Sequence, residues 1–336
     1  MTHLSSPAAL THADVERIRH QRGRSILLFV TDRCPVGCAH CSVDSRRDSP
    51  TIRDFDLFGH IVDGICRADE IQVVGLSGGE PFAERRGLEL AVARLTEAGK
   101  RQVVFTSGVW ARGRDTPRWV REVLGRCACV YLSTDAFHAR TVDDAAFGRA
   151  VRAVVSEGAW LVVQVLDQGD ACACMEAKLA ELLGPTWRTC AEVNAIAPLT
   201  SGRGADQFVR APRTHGHQFG ACPLARGPMV RYDGVVTACC NESVIMGRGP
   251  ERLRVAAGTG DEVAHALQRF HDDPLLRLIG NVGFGVLTTH PRLRHLAPRR
   301  FSNNCDLCWQ VMDHMPERDT PDALIDVMNA LIPEAS

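Results

Sequence analysis

Three thiols fall within eight residues in Cys34-Pro-Val-Gly-Cys38-Ala-His-Cys41. Pro35 and Gly37 shape a loop that can wrap a compact metal group. A fully Cys-ligated four-iron cube takes four thiolates. Three nearby thiolates therefore leave one iron open, as catalysis requires. The competing use is a zinc knuckle with His40 as fourth ligand. A second set follows late in the chain: Cys222, Cys239 and Cys305-Asp-Leu-Cys308. Four thiolates leave no open position, and their paired spacing suits a structural zinc equally well. Between these sets stands Ser77-Gly78-Gly79-Glu80-Pro81. Its glycines let backbone approach a ligand closely, and the Glu80 carboxylate can accept from an ammonium.

The elements around these residues repeat a simple unit. Short runs rich in Val, Ile and Leu at 25–31, 70–77, 101–106, 129–133, 161–166 and 192–196 predict strands buried on both faces. Segments 55–67, 84–98, 117–125, 142–157 and 172–183 have apolar spacings of three and four and predict helices. β-α units in series imply a parallel sheet with right-handed crossovers, either an open sheet or a partial barrel. Function then belongs at the C-terminal strand ends, where both the three-Cys loop and the Gly-Gly-Glu turn fall. Past residue 200 the alternation stops. A hairpin around Asp233-Gly234 with a strand at 235–239, a helix at 261–271 and a terminal helix at 322–331 are expected there.

Composition bounds the rest. The 336 residues suit one large domain with a smaller appendage, and 45% apolar content can fill a substantial core. A net charge of -1 argues against a nucleic-acid binder. Thirty-seven Arg against two Lys reflect a GC-rich coding bias. The polar stretch 1–24 has no signal-peptide core, and no apolar run is long enough to span a membrane. A cytoplasmic protein is expected, in which fourteen cysteines are ligands, reactive thiols or small core residues rather than disulfides.

The C-x3-C-x2-C loop after the first strand, with Gly-Gly-Glu in register after the second, resembles the radical SAM superfamily. The resemblance implies a partial (β/α)6 TIM barrel over residues 25–205 and a 4Fe-4S cluster on Cys34, Cys38 and Cys41. S-adenosylmethionine would chelate its open iron. Reductive cleavage would then yield a 5'-deoxyadenosyl radical that takes hydrogen from the substrate. The family pattern further implies that His40 packs near the adenine and that Gly78, Gly79 and Glu80 meet the methionine ammonium. Ser133 and Asp135 would meet the ribose, although the Ser133-Thr134-Asp135 run serves equally as a helix cap. Arg203 in Gly202-Arg203 would meet the methionine carboxylate. Gln164 and His138 are further candidates.

Cys222, eleven residues, Gly234, four residues, Cys239 and a distant C-x2-C resemble the twitch/SPASM auxiliary module, placed at 206–315 between an N-terminal extension (1–24) and a C-terminal helix (316–336). The resemblance implies an auxiliary 4Fe-4S cluster on Cys222, Cys239, Cys305 and Cys308, with Cys240 as the rival to Cys239. It also implies a flavodoxin- or ferredoxin-like electron donor, an oxidoreductase or maturase, and natural-product biosynthesis. A ribosomally made peptide is the first expectation for substrate, and an aminoglycoside or sugar-like molecule the second. A leader-binding domain would have to be a separate protein, because about 24 residues precede the first strand. Arg292, Arg294, Arg299 and Arg300 cluster before the last Cys pair and suit an anionic substrate, a peptide or an electron donor. A zinc-bound interaction protein is the alternative of another class.

Overall fold

The computed structural model describes residues 8–316 and 320–331. Helix α1 (His12–His20) leads into β1 (Ser25–Phe29). The repeat continues through α2 (Phe55–Arg67), β2 (Val73–Ser77), α3 (Arg85–Glu97), β3 (Arg101–Thr106), α4 (Arg118–Leu124) and β4 (Cys129–Ser133). It closes with α5 (Asp144–Ser156), β5 (Trp160–Leu166), α6 (Ala171–Leu183) and β6 (Ala191–Ile196). Strands β1 to β6 are parallel and in chain order. All eleven expected elements of this half are present, within a few residues at each end.

Alternation along the strands divides the core in two. Val74, Val104, Val130, Leu132, Leu161 and Val163 face the helices. Their neighbours Val73, Val103, Cys129, Tyr131 and Val162 face the concave side. There they meet Leu10, Val15 and Ile18, contributed by α1 and the residues before it. The side chain of Thr11 caps α1 by accepting from Asp14 N–H, and His12 Nδ1 lies 2.9 Å from the Tyr131 hydroxyl. The segment expected to be a mere extension is thus, over its described part, a plug in the base of the barrel.

The second half adds β7 (Thr214–His215), β8 (Met229–Arg231), β9 (Val235–Thr237), α7 (Glu242–Ile245) and β10 (Arg254–Ala256). After these come α8 (Gly260–Asp272), α9 (Pro274–Asn281), α10 (Phe284–Leu287), β11 (Arg300–Phe301), α11 (Asn304–His314) and α12 (Ala323–Ala330). Strand β8 pairs in parallel with β1, Leu27 opposite Met229 and Phe29 opposite Arg231. Its hairpin partner β9 and then β10 extend the sheet to nine strands. The boundary expected near residue 206 therefore does not separate two sheets. The short strands β7 and β11 form a ladder of their own. No helix among the described residues is long and apolar enough to cross a membrane.

Candidate active site

The three-Cys loop leaves β1 and is stitched to its surroundings by backbone bonds. Cys34 N–H donates to Arg46 O (2.9 Å) and Cys41 N–H to Cys38 O (3.2 Å). Backbone N–H groups of Val36 and Gly37 reach the Cys34 sulfur, and Ser45 N–H reaches Cys41 Sγ at 3.3 Å. Cys34 and Cys38 are buried. Burial pushes the Cys34 thiol up to about 11, so a bound cation is what would favour its thiolate.

Gly79 N–H donates to Thr31 O (2.7 Å) and Glu80 N–H to Arg33 O (2.9 Å). A Cβ on Gly78, whose φ is +148°, would lie 2.4 Å from Thr31 O, and one on Gly79 2.5 Å from Arg33 O. Only glycines let this turn lie against the stretch that leads into Cys34. Both line a cavity of about 220 Å³ at the C-terminal strand ends. Cys34, Cys38, Cys41 and Ser133 share its wall.

Glu80 does not line the cavity, against expectation. It is 1% exposed, and its Oε1 accepts from Thr106 Oγ1 (2.8 Å) and Phe82 N–H (3.2 Å). Its Oε2 accepts from Ser107 N–H (2.8 Å) and Ser107 Oγ (2.5 Å). Burial raises its pKa and these bonds oppose the rise. Both oxygens are committed inside the protein, so the carboxylate ties β2 to β3 rather than facing a ligand. Thr106 and Ser107, which the sequence reading missed, do line the cavity. Their signal was a polar pair where the apolar strand β3 ends, Thr106 its last residue and Ser107 the next.

Asp135 is likewise turned inward. Its Oδ1 accepts from Phe137 N–H (2.8 Å) and His138 N–H (3.0 Å). Its Oδ2 lies 2.9 Å from His138 Nδ1 and 3.3 Å from His40 Nε2. The helix cap expected as the alternative is not there, since α5 starts at Asp144 and is capped by Asp143; Asp135 instead folds onto the backbone of a turn, and both its oxygens are engaged. Burial works against a charged His138, but Asp135 and the Cys38 sulfur more than offset this and hold it at about 10. Burial lowers His40. The His40 ring lies 4.6 Å from Phe137 and 6.1 Å from Phe208. Its buried Nδ1 has no partner among the described residues.

Arg203 is not free for a carboxylate either. Its guanidinium donates to Cys38 O (3.0 and 2.7 Å) and Ser45 O (3.0 Å), and pairs with Asp44. It braces the cysteine loop from the far side, and Gly202, at φ +53°, allows this because a Cβ there would sit 2.5 Å from Cys41 O. Gln164 lies in β5, and its backbone carbonyl accepts from Thr134 N–H (2.9 Å).

The second set gathers at the base of β1, roughly one strand length, about 17 Å, from the first. Cys222 precedes β8 and Cys239 follows β9, so the open end of the hairpin holds both. The first turn of α11 supplies Cys305 and Cys308. Burial raises the thiols of Cys239, Cys305 and Cys308, and each is raised further by the nearby Cys222. Cys222 receives backbone N–H bonds from Leu224 and Ala225. Cys239 packs in the main core with Cys222 and Cys308. Cys240 packs instead beside Leu27 and Val43 and lines a second cavity of about 200 Å³ in the barrel. Ser77 and Phe105 line both cavities, so the barrel interior runs from one cysteine set toward the other.

The donor set of the first site suits an iron-sulfur cube with an open iron. Three sulfurs, two of them receiving backbone N–H groups, face a cavity walled by glycine backbone and hydroxyls. Comparison with known proteins agrees. Residues 28–155 match the family model described as the radical SAM superfamily. Similar solved structures include SuiB of Streptococcus suis bound to S-adenosylmethionine, 11% identical, covering 79% of this chain and 69% of that one, with a TM-score of 0.50. BtrN in complex with AdoMet and 2-DOIA is 13% identical and covers 84% of this chain and 97% of that one, with a TM-score of 0.44. For anSMEcpe with bound AdoMet and the Cp18Cys peptide the values are 14%, 91%, 99% and 0.44. No curated protein sequence matches the chain. The likeness to SuiB is one of fold. Residues 28–155, with the three-Cys loop near their start, are thus similar to the radical SAM superfamily in the part of the chain that the family model covers.

Proposed function

We propose that the chain is a radical SAM enzyme of the twitch/SPASM group that modifies a ribosomally made peptide. The observation that carries the radical SAM reading is the cavity itself. Three sulfurs, Gly78 and Gly79, and the hydroxyls of Ser107 and Ser133 converge at the C-terminal mouth of a parallel barrel. When bound there, cluster and S-adenosylmethionine would supply the 5'-deoxyadenosyl radical that takes hydrogen from the substrate. The chain's own part is to hold and shield. Cys34, Cys38 and Cys41 hold the cluster. Gly78, Gly79, Thr106, Ser107 and Ser133 offer polar groups to the cofactor, and His40, between Phe137 and Phe208, offers an aromatic face for the adenine. Glu80, Asp135 and Arg203 act as positioning residues for this wall.

Cys222, Cys239, Cys305 and Cys308 would ligate the auxiliary cluster, with Cys240 left to face the barrel interior. The peptide assignment is supported by the rim. Phe208 lies edge-on to His40 of the cavity wall, and exposed residues 209–213 follow it, against which an extended chain can lie. Anaerobic reconstitution followed by reductant and S-adenosylmethionine should yield 5'-deoxyadenosine. Replacing Cys34, Cys38 and Cys41 together by Ala should abolish it while leaving about four irons per chain in the second site. Persistent cleavage in that variant, or one zinc and no iron in the native chain, would falsify the reading. Hydrogen exchange from substrate into 5'-deoxyadenosine with a sugar-like alcohol, and none with peptide, would reassign the substrate.

A further inference from the structure

The three sulfurs of the first site each receive a hydrogen bond, but from two kinds of donor. Cys34 takes the backbone N–H groups of Val36 and Gly37, and Cys41 takes Ser45 N–H at 3.3 Å. Those donors belong to the cysteine loop itself and come with any loop of that path. Cys38 is served differently. Its sulfur takes a side-chain hydrogen bond from His138, which stands beyond the end of β4. A donor of that kind is present only because the sequence places a histidine there.

The ring is built into position. The turn after β4 is closed by Ala139 N–H to Asp135 O (3.0 Å). Asp135 Oδ1 takes the N–H groups of Phe137 (2.8 Å) and His138 (3.0 Å). Asp135 Oδ2 lies 2.9 Å from His138 Nδ1, which leaves Nε2 for the sulfur. Carboxylate and sulfur are both acceptors here, so both ring nitrogens carry hydrogen. The His40 ring meets His138 edge-on at 5.3 Å. His138 and Cys38 share the wall of the 220 Å³ cavity. Asp135 thus orients the ring, and the ring addresses the sulfur.

An N–H aimed at a ligating sulfur draws negative charge from it. One-electron reduction adds negative charge to an iron-sulfur cluster, so such a donor favours the reduced form and raises the potential. We infer that His138, oriented by Asp135, is a positioning residue of the first site. Its N–H on the Cys38 sulfur raises the potential at which a cluster on Cys34, Cys38 and Cys41 takes up its electron. The cluster gains one electron, a one-electron chemical reductant loses one, and His138 keeps its protons. The inference rests on the radical SAM reading of the first site, and the second cysteine set does not enter it.

The test is a redox titration of the reconstituted holoprotein with dithionite, followed by electron paramagnetic resonance. The signal that changes on adding S-adenosylmethionine identifies the cluster with the open iron, and its potential is then measured without cofactor. His138→Phe keeps a ring but has no donor for the sulfur. At a fixed potential its ratio of reduced to oxidised cluster should fall about tenfold, equivalent to about 59 mV for one electron. His138→Gln keeps a neutral donor and should fall about threefold. The signal that ignores S-adenosylmethionine should titrate as in wild type. A His138 that only supports the fold would lower melting temperature and iron content but leave the loaded fraction at the wild-type potential. An unchanged or raised potential in His138→Phe therefore overturns the inference. If His138→Phe does not load the first cluster, His138→Gln decides, and a wild-type potential there overturns it as well. A wild-type first site that holds no cluster, or whose signal ignores S-adenosylmethionine, is a failure of the radical SAM reading. It is seen before any variant is made, and the inference falls with it.

Discussion

Arg231 and Asp32 form a buried two-pronged ion pair, Nη1 to Oδ1 at 3.1 Å and Nη2 to Oδ2 at 2.9 Å. Asp32 stands two residues before Cys34, and Arg231 ends β8, the strand that holds the second cysteine set to the barrel. Tyr232 adds a hydroxyl to Asp32 Oδ2 (2.8 Å), and Asp233 takes the remaining Arg231 edge (3.1 Å). The pair joins the start of one cysteine loop to the hairpin that presents the other.

Removing one member strands the other charge in the core. Arg231→Ala should destabilise the protein by about 3–5 kcal/mol. The double change Arg231→Met, Asp32→Asn should recover part of that loss, because no charge is then left buried. Urea unfolding of the metal-free proteins measures both. If the single change costs less than about 1 kcal/mol, the pair does not join the two halves.

Glu80 carries an expectation of the same kind. Glu80→Ala leaves the buried donors of Thr106, Ser107 and Phe82 unmatched, at roughly 1–3 kcal/mol. The loss should already be full without cofactor, since the carboxylate serves the protein and not the ligand. A variant as stable as wild type that binds S-adenosylmethionine more weakly would return Glu80 to the ligand.

His138 yields a pH dependence with a defined sign. Its ordinary value is 6.5, and Asp135 and the Cys38 sulfur hold it at about 10 in the fold. The raised pKa means that the folded state binds the proton more tightly, so the contribution is complete below about pH 6.5 and is lost as pH climbs toward 10. The stability gap between metal-free wild type and His138→Ala should therefore be widest in acid and narrow through pH 7 to 9. A gap that widens with rising pH would contradict the ion pair.

Cys239 and Cys240 are adjacent and both lie near Cys222, but Cys239 packs in the main core and Cys240 beside Leu27 and Val43. Cys239→Ala should cost the chain its second cluster, about four irons. Cys240→Ala should keep it, which iron and sulfide analysis of anaerobically purified protein will show. The reverse result would mean that the hairpin end is rotated by one residue relative to the fold described here.

The barrel was legible because its signals are local. An apolar run bounded by polar residues is a buried strand wherever it sits, and spacings of three and four mark a helix face. Cys34, Cys38, Cys41, Gly78 and Gly79 were legible for a related reason: their chemistry lies in close spacing, directly after strands whose ends the pattern locates. Glu80, Asp135 and Arg203 were found as polar residues at those same ends, but their partners were not. Which way a carboxylate turns depends on donors far along the chain, Thr106 and Ser107 for Glu80, and Cys38 O, 165 positions away, for Arg203. Burial then decides the outcome, since a charge sealed from water must take every partner within reach. The pairing of β8 with β1 was hidden for the same reason. Three-residue strands carry too little pattern to announce a neighbour two hundred positions away, and their place is set by the hydrogen bonds that the open edge of β1 must find.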